Sequence, residues 1–273
     1  LTTGDNNLTI GYNEDPRTWN YFNGTIDEVH IFDRNLTEDE IEELYQEGLG
    51  ENDRTKDYSD NSNNGTVEGT VWNSTGGYDG KGAYQFDGSN DYIKILNDDS
   101  LKPSGPFTIS TWIKADNLDD NMWIASKLNY QDNGYGLMIS DSKPGFTIQS
   151  PSHAYDQGSP DTIEVGKWYH LVGVYNDPSS DIYVNGEFKA HNVNAQLTTG
   201  DNNLTIGYSE DPLSYHYFNG SIDEFIIFNR SLSTEQIQAL YNNKTNLIVS
   251  NETTKHDVWN VSITPNDGVD DGI

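Results

Sequence analysis

The chain has 273 residues, with 44 Asp and Glu against 15 Lys and Arg, a formal charge of −29 and no cysteine. That charge argues against nucleic acid or an anionic membrane as partner and favours cations, with solubility or a saline habitat as the plainer account. The lack of cysteine excludes a disulfide framework, a thiolate metal site and a thiol nucleophile.

Residues 1–45 align without a gap on residues 197–241, an offset of 196, and 29 of the 45 positions are identical. A period that long is a whole domain. Residues 1–50 therefore read as the C-terminal part of one repeat, 51–246 as a complete repeat, and 247–273 as a linker or a β segment of a following immunoglobulin-like module. Alone, 1–50 would expose Ile26, Ile31 and Phe32. Either a neighbouring copy in a fibre or array completes it, or it is a frame cut from a longer repeating polypeptide.

Residues 51–82 are polar and turn-prone, with one strand candidate at 66–72. Residues 82–96 read as a hairpin, with 83–86 and 92–95 pairing around Asp87-Gly88-Ser89-Asn90. Residues 107–115 alternate, with Phe107, Ile109, Thr111 and Ile113 on one face and Trp112 on the other. Short strands are expected at 122–126, 135–140, 145–149 and 168–175. In 181–190 the pair Asn185-Gly186 signals a type I′ hairpin.

Leu204, Ile206 and Tyr208 alternate again, and 222–228 forms the last strand. Ser233-Thr234-Glu235-Gln236 has capping-box spacing, with Leu232 and Ile237 placed to staple the helix start. Ile237, Leu240 and Tyr241 give that helix one apolar stripe, expected to sit as a lid on a sheet edge. Many short strands and one terminal helix mean an all-β, antiparallel two-sheet sandwich.

The ordered set Ala83-Tyr-Gln-Phe-Asp-Gly-Ser-Asn-Asp-Tyr-Ile, Phe107-Thr-Ile-Ser-Thr-Trp-Ile, Lys167-Trp-Tyr-His-Leu-Val-Gly-Val-Tyr, Ile182-Tyr-Val-Asn-Gly-Glu and Phe218-Asn-Gly-Ser-Ile-Asp-Glu resembles the laminin-G-like, concanavalin A-like jelly-roll family over about residues 55–245. The resemblance implies a jelly roll. It leaves function open among lectins, adhesion modules, calcium-dependent binders and some glycanases.

An extracellular, non-catalytic module for adhesion or carbohydrate binding is the reading taken, with a glycan-degrading enzyme or its accessory carbohydrate-binding domain as the alternative. Glycanases on this fold resemble one another in setting two carboxylates on one face of a strand. Asp223 and Glu224 are adjacent, which on a regular strand puts them on opposite faces. His170, in the Trp-Tyr-His-Leu-Val strand, reads as a hydrogen-bonded core or rim histidine.

Calcium takes about six to eight oxygens, and Asp/Asn turns are plentiful. The resemblance implies that the first and last strands meet, which would bring Asp57, Asp60 or Asn61 near Asp223, with Asp87 and Asp91 as a second cluster. The same residues are also those that turns prefer.

For a glycan, an aromatic plane and hydrogen-bonding groups are needed. Tyr130, Asp132, Asn133 and Tyr135 offer these in one loop; His153, Tyr155, Asp156 and Gln157 in another. Tyr215, His216 and Tyr217 join them, and in place of Tyr215-His216 the first copy carries Trp19-Asn20. Sequons at Asn7, Asn23, Asn35, Asn64, Asn73, Asn203, Asn219, Asn229, Asn243, Asn251 and Asn260 favour a glycosylated surface protein, although an Asn- and Thr-rich chain makes sequons by accident. No run of about 18 apolar residues and no charged-plus-apolar leader occurs, so no membrane insertion is expected of this segment.

Overall fold

The computed structural model describes residues 54–57, 59, 61–118, 121–128, 133–150, 153–210 and 216–243, with backbone alone for 153–157. The half-domain expected at 1–50 and the segment at 247–273 lie outside these residues. So do Asp60, Tyr130, Asp132 and Tyr215, and the sequons Asn7, Asn23, Asn35, Asn251 and Asn260.

In chain order the elements are β1 (Arg54–Thr55), β2 (Gly65–Glu68), β3 (Val71–Asn73), β4 (Ala83–Asp87), β5 (Tyr92–Ile95), a 3₁₀ turn (Asp99–Leu101), β6 (Phe107–Ala115), β7 (Met122–Leu128), β8 (Gly134–Ser140), β9 (Lys143–Ser150), β10 (His153–Gly158), β11 (Trp168–Asn176), β12 (Ser179–Val184), β13 (Glu187–Asn192), β14 (Leu204–Ile206), β15 (Asn219–Phe228) and α1 (Thr234–Tyr241). They build two antiparallel sheets, ordered β1-β2-β5-β14-β7-β8-β9-β10 and β13-β12-β11-β6-β15-β4-β3. This is the jelly-roll sandwich read from the sequence.

Period-2 alternation explains the core. Phe107, Ile109 and Ile113 of β6, Leu171 of β11 and Ile222 of β15 point inward from the seven-stranded sheet. They meet Ile93 and Ile95 of β5, Leu137 and Ile139 of β8, and Phe146 and Ile148 of β9 from the other. Each of these side chains contributes roughly 1.5–3 kcal/mol on burial.

The alternation places side chains in or out but does not say which sheet a strand joins, and two expectations fail there. Residues 83–86 and 92–95 do not form a hairpin: β4 pairs with β3 and β15, while β5 pairs with β2 and β14. The Asp87–Asp91 segment instead carries the chain over the sandwich edge. Likewise the single strand expected at 66–72 is two strands in different sheets, broken at Gly69 with φ 77°. A Cβ on Gly69 would stand 2.2 Å from Asp91 Oδ1, so the two crossings pack against each other.

Residues 153–157, expected as a binding loop, run as the edge strand β10 in register with β9, His153 opposite Ser150. The Asn185-Gly186 turn is as expected, with φ of 52° and 76° joining β12 to β13. The capping box also forms: Ser233 Oγ accepts from Gln236 N at 3.3 Å, and Gln236 Oε1 accepts from Ser233 N at 2.8 Å. α1 lies on the outer face of the seven-stranded sheet, reaching its edge strand β13. Val172 and Val174 of β11 turn an apolar stripe outward, where Leu232 and Ile237 cover it.

Candidate functional site

The outer face of the eight-stranded sheet brings aromatic and polar groups together. Lys94 of β5 stands opposite Thr205 of β14, and Tyr92 lies two residues away on the same face. After β14 the chain leaves the sheet in a loop that Phe218 N closes by donating to the Gly207 carbonyl at 2.8 Å. Across the neck of that loop Tyr208 and Tyr217 stack, with ring centroids 4.6 Å apart and planes 14° apart. Tyr92 leans on Tyr208 at 5.4 Å.

Glu210 sits beside this stack. Its carboxylate takes Lys94 Nζ at 3.2 Å and accepts from Asn203 Nδ2 at 3.1 Å through both oxygens. Asn203 Oδ1 in turn accepts from Asn97 N at 3.1 Å. Beneath lies Lys127, 1% exposed, donating to Asn97 Oδ1 at 2.7 Å and to the Asn202 carbonyl. Burial pushes its pKa down to about 8. The face is thus a tyrosine stack fixed to a pre-ordered amide and carboxylate network.

Of the residues named for glycan contact, His216 is on this loop, exposed, and anchored by Trp123 N donating to its carbonyl at 3.3 Å. Tyr135 is a correction: it is 0% exposed in the core, its hydroxyl donating to the Leu101 carbonyl at 2.9 Å. On β8 it falls on the inward-pointing set with Leu137 and Ile139, so no surface ligand reaches it. Asn133 is half-buried just before β8. His153 and Tyr155 belong to the edge strand β10.

Tyr217 was named with Tyr215 and His216 for glycan contact, whereas Tyr92, Lys94, Tyr208 and Glu210 were not. A signal for Tyr208 and Glu210 was present beside that for Tyr217. The two copies keep Tyr12 and Tyr208, Glu14 and Glu210, and Tyr21 and Tyr217 in register, while Arg17-Thr18-Trp19-Asn20 becomes Leu213-Ser214-Tyr215-His216 between them in sequence.

The carboxylates proposed for calcium are placed differently. Asp57 Oδ2 accepts from Asn63 N at 2.8 Å and Oδ1 from Ser59 N at 2.9 Å. Asp91 Oδ2 accepts from Asp87 N, and Asp87 Oδ1 from Ser89 N at 2.7 Å. These side chains hold their own turns. Asp57, Asn61 and Asp223 do line one opening, although β1 and β15 do not pair and lie in different sheets. Among the described residues no group of three or more His, Asp or Glu is placed to hold a metal ion. Two carboxylates and an amide fall short of the calcium shell without backbone and water oxygens.

Asp223 and Glu224 are a second correction. β15 carries a bulge between Asp223 and Ile226, with Glu224 at φ 45°, so both carboxylates stand on the same side of the strand. Burial first, then Asp223 and Asp79, push Glu224 up to about 7. Asp223 Oδ2 accepts from Tyr78 N at 3.1 Å. Tyr78 itself stacks on Trp112 at 3.9 Å. His170 is the buried, hydrogen-bonded histidine expected, its Nε2 2.9 Å from Ser110 Oγ and its pKa pushed down to about 4 by burial.

A family profile described as the concanavalin A-like lectin/glucanases superfamily, of laminin-G type, matches residues 1–42 and 87–238. No curated protein matches the chain. Among solved structures, the binding domain of Paraclostridial Mosquitocidal Protein 1 has a TM-score of 0.58 at 18% identity, over 70% of this chain and 50% of that one. Domain 4 of AbnA, a GH43 extracellular arabinanase from Geobacillus stearothermophilus in complex with arabinotriose, has 0.57 at 19%, over 71% and 95%. The receptor binding domain of botulinum neurotoxin C/D mosaic serotype has 0.55 at 17%, over 69% and 48%. The chain thus spans about half the length of the two toxin domains. At these identities the likeness is one of fold.

Proposed function

The chain belongs to the concanavalin A-like lectin/glucanases superfamily, and from that premise we propose that it is a non-catalytic extracellular module that binds a glycan or surface ligand on the loop Tyr208–Phe218. The observation that carries this is a contrast: a fixed Tyr208–Tyr217 neck beside the Glu210–Asn203–Lys94 network, and an intervening sequence at 213–216 that differs between the two copies. Aromatic edges and faces take sugar C–H groups, and the carboxylate and amide take hydroxyls. Neutral sugars suit it best, since Lys94 is already paired and the chain as a whole repels anions.

A glycan array with the full chain, in calcium and in chelator, tests the reading. Tyr217→Ala should keep the melting temperature within a few degrees and lose at least ten-fold in binding. Unchanged binding in Tyr217→Ala and Glu210→Gln would move the site elsewhere.

Three companions of this proposal have their own readouts. Glycans on exposed Asn229 and Asn243 are read by mass spectrometry of the natural material, while Asn203 commits its amide nitrogen to Glu210. A structural calcium at Asp57, Asn61 and Asp223 is read as a rise in melting temperature over chelator. Assembly with copies of itself is read by light scattering. A second reading, a glycan-degrading enzyme, is favoured by the shared side of Asp223 and Glu224; hydrolysis abolished by Glu224→Gln would establish it.

A further inference from the structure

Among the described residues Lys127 is the only buried lysine, and what it touches is an amide. Its Nζ donates to Asn97 Oδ1 at 2.7 Å and to the Asn202 carbonyl. Because a C=O bond is about 1.2 Å long, Asn97 Cγ lies at most about 4 Å from that nitrogen. At the other end of the same amide, Asn97 Nδ2 meets Asp201 Oδ1 at 3.5 Å, a carboxylate that Lys102 holds at 2.7 Å. A primary amine, a carboxamide carbon and a carboxylate beside the amide nitrogen are thus held together at one place.

That is a nucleophile set against an electrophile. An amide is inert to amines in dilute solution, but enforced contact replaces the bimolecular encounter, and well-oriented pairs reach effective concentrations on the order of 10⁵–10⁸ M. Attack needs the neutral amine. Burial first, then Lys102, bring the Lys127 pKa down to about 8 against the opposing pull of Asp201 and Glu210. Roughly a tenth of the molecules then carry the free amine at pH 7. Neither of the opposing carboxylates is free to take the ammonium instead, since Glu210 holds Lys94 and Asn203 while Asp201 holds Lys102, which Asp99 also pairs.

We propose that Lys127 and Asn97 condense, without any cofactor, into an internal amide cross-link. The Lys127 nitrogen adds to Asn97 Cγ and forms the new C–N bond. The proton it sheds is carried by Asp201 to Nδ2, the Cγ–Nδ2 bond breaks, and the amide nitrogen leaves as one molecule of ammonia. Nothing is oxidised or reduced, and no co-reactant enters. Asn97 lies just past β5 and Lys127 in β7, with β14 running between those strands, so the bond staples β5 to β7 across the start of β14. It joins positions 30 apart in sequence, a constraint that a chain without cysteine cannot draw from a disulfide. It also braces Asn97, whose backbone N–H holds Asn203 in the network beside the tyrosine stack. Condensation removes the ammonium, so the titration of Lys127 belongs to the uncondensed chain.

The full chain is its own reagent. On isolation, or after days at about pH 8, where half of Lys127 is the free amine, it should weigh one ammonia less than its sequence. A protease digest should then give one branched peptide joining the Lys127 and Asn97 segments, identified by fragmentation. A succinimide at an Asn-Gly pair also sheds ammonia, and the branched peptide separates the two. Lys127→Met and Asn97→Ala should each abolish that peptide, and Asp201→Ala should slow its formation at least ten-fold with the circular dichroism unchanged. The cross-linked chain should melt above Asn97→Ala. A full sequence mass that persists after days at pH 8 overturns the proposal, and so does a loss of ammonia with no branched peptide between these two segments.

Discussion

Asp223 and Glu224 face the same side of β15 because the strand carries one residue more than its neighbour: Asp223 stands opposite Trp112, and Ile226 opposite Ser110. The extra residue puts Phe225 back against the core and leaves two acidic side chains together beside Asp79. Glu224 pays for this by holding its proton to about pH 7 against an ordinary value of 4.5. Between those values the folded chain binds the proton more than the unfolded chain does, so stability falls as pH rises through this window. Glu224→Gln should flatten that slope and raise stability at pH 8 by about 1 kcal/mol, the rest being lost to solvent screening. Urea unfolding at pH 5 and pH 8 measures it.

The helix start offers a second test. Ser233 and Gln236 cap each other, and Gln236 Oε1 also accepts from Arg230 at 3.0 Å. Ser233→Ala should cost about 1 kcal/mol. Because α1 covers Val172 and Val174 from outside, the loss should appear as faster exchange of the helix amides, with the inter-sheet core unaffected.

What could be read from the sequence was whatever is local. The Asn185-Gly186 turn, the capping box and the two faces of β6 each depend on residues within a few positions of one another, and all three formed. The destination of a strand depends on distant partners: β4 and β5 show the same apolar alternation whether they pair together or cross to different sheets. The bulge at Glu224 was hidden for a related reason, since Ile222 to Phe228 reads as one regular strand until Trp112 and Ser110 fix its register. Of the candidate site, the loop tip at His216 was legible from the variation between copies. Of the neck only Tyr217 was, because Tyr208 and Tyr217 meet only when the loop closes.

A transplant between the two copies separates recognition from stability. Replacing Leu213, Ser214, Tyr215 and His216 together by the Arg-Thr-Trp-Asn of the first copy leaves Tyr208, Glu210 and Tyr217 in place. The melting temperature should move by no more than a few degrees, while the ranking of ligands on a glycan array changes. An unchanged ranking would show that the tip makes no contact with ligand.

The buried lysine gives the last prediction. Lys127 donates to Asn97 Oδ1 and to the Asn202 carbonyl, and Asn202 Nδ2 in turn donates to the Leu128 carbonyl at 2.8 Å, so the ammonium holds the segment before β14 against β7. Lys127→Met fills similar space but leaves those acceptors without their donor, at a cost of about 1–3 kcal/mol. Burial sets the folded pKa near 8, below the ordinary 10.5, with Lys102 adding repulsion and Asp201 and Glu210 opposing it. Between about 8 and 10.5 the unfolded chain keeps the proton and the folded chain gives it up, so the wild type should gain stability as pH rises through that range. The methionine variant has no such group. Its deficit relative to wild type should widen from pH 8 to pH 10 in paired urea titrations, and a constant deficit would mean that Lys127 titrates as though exposed.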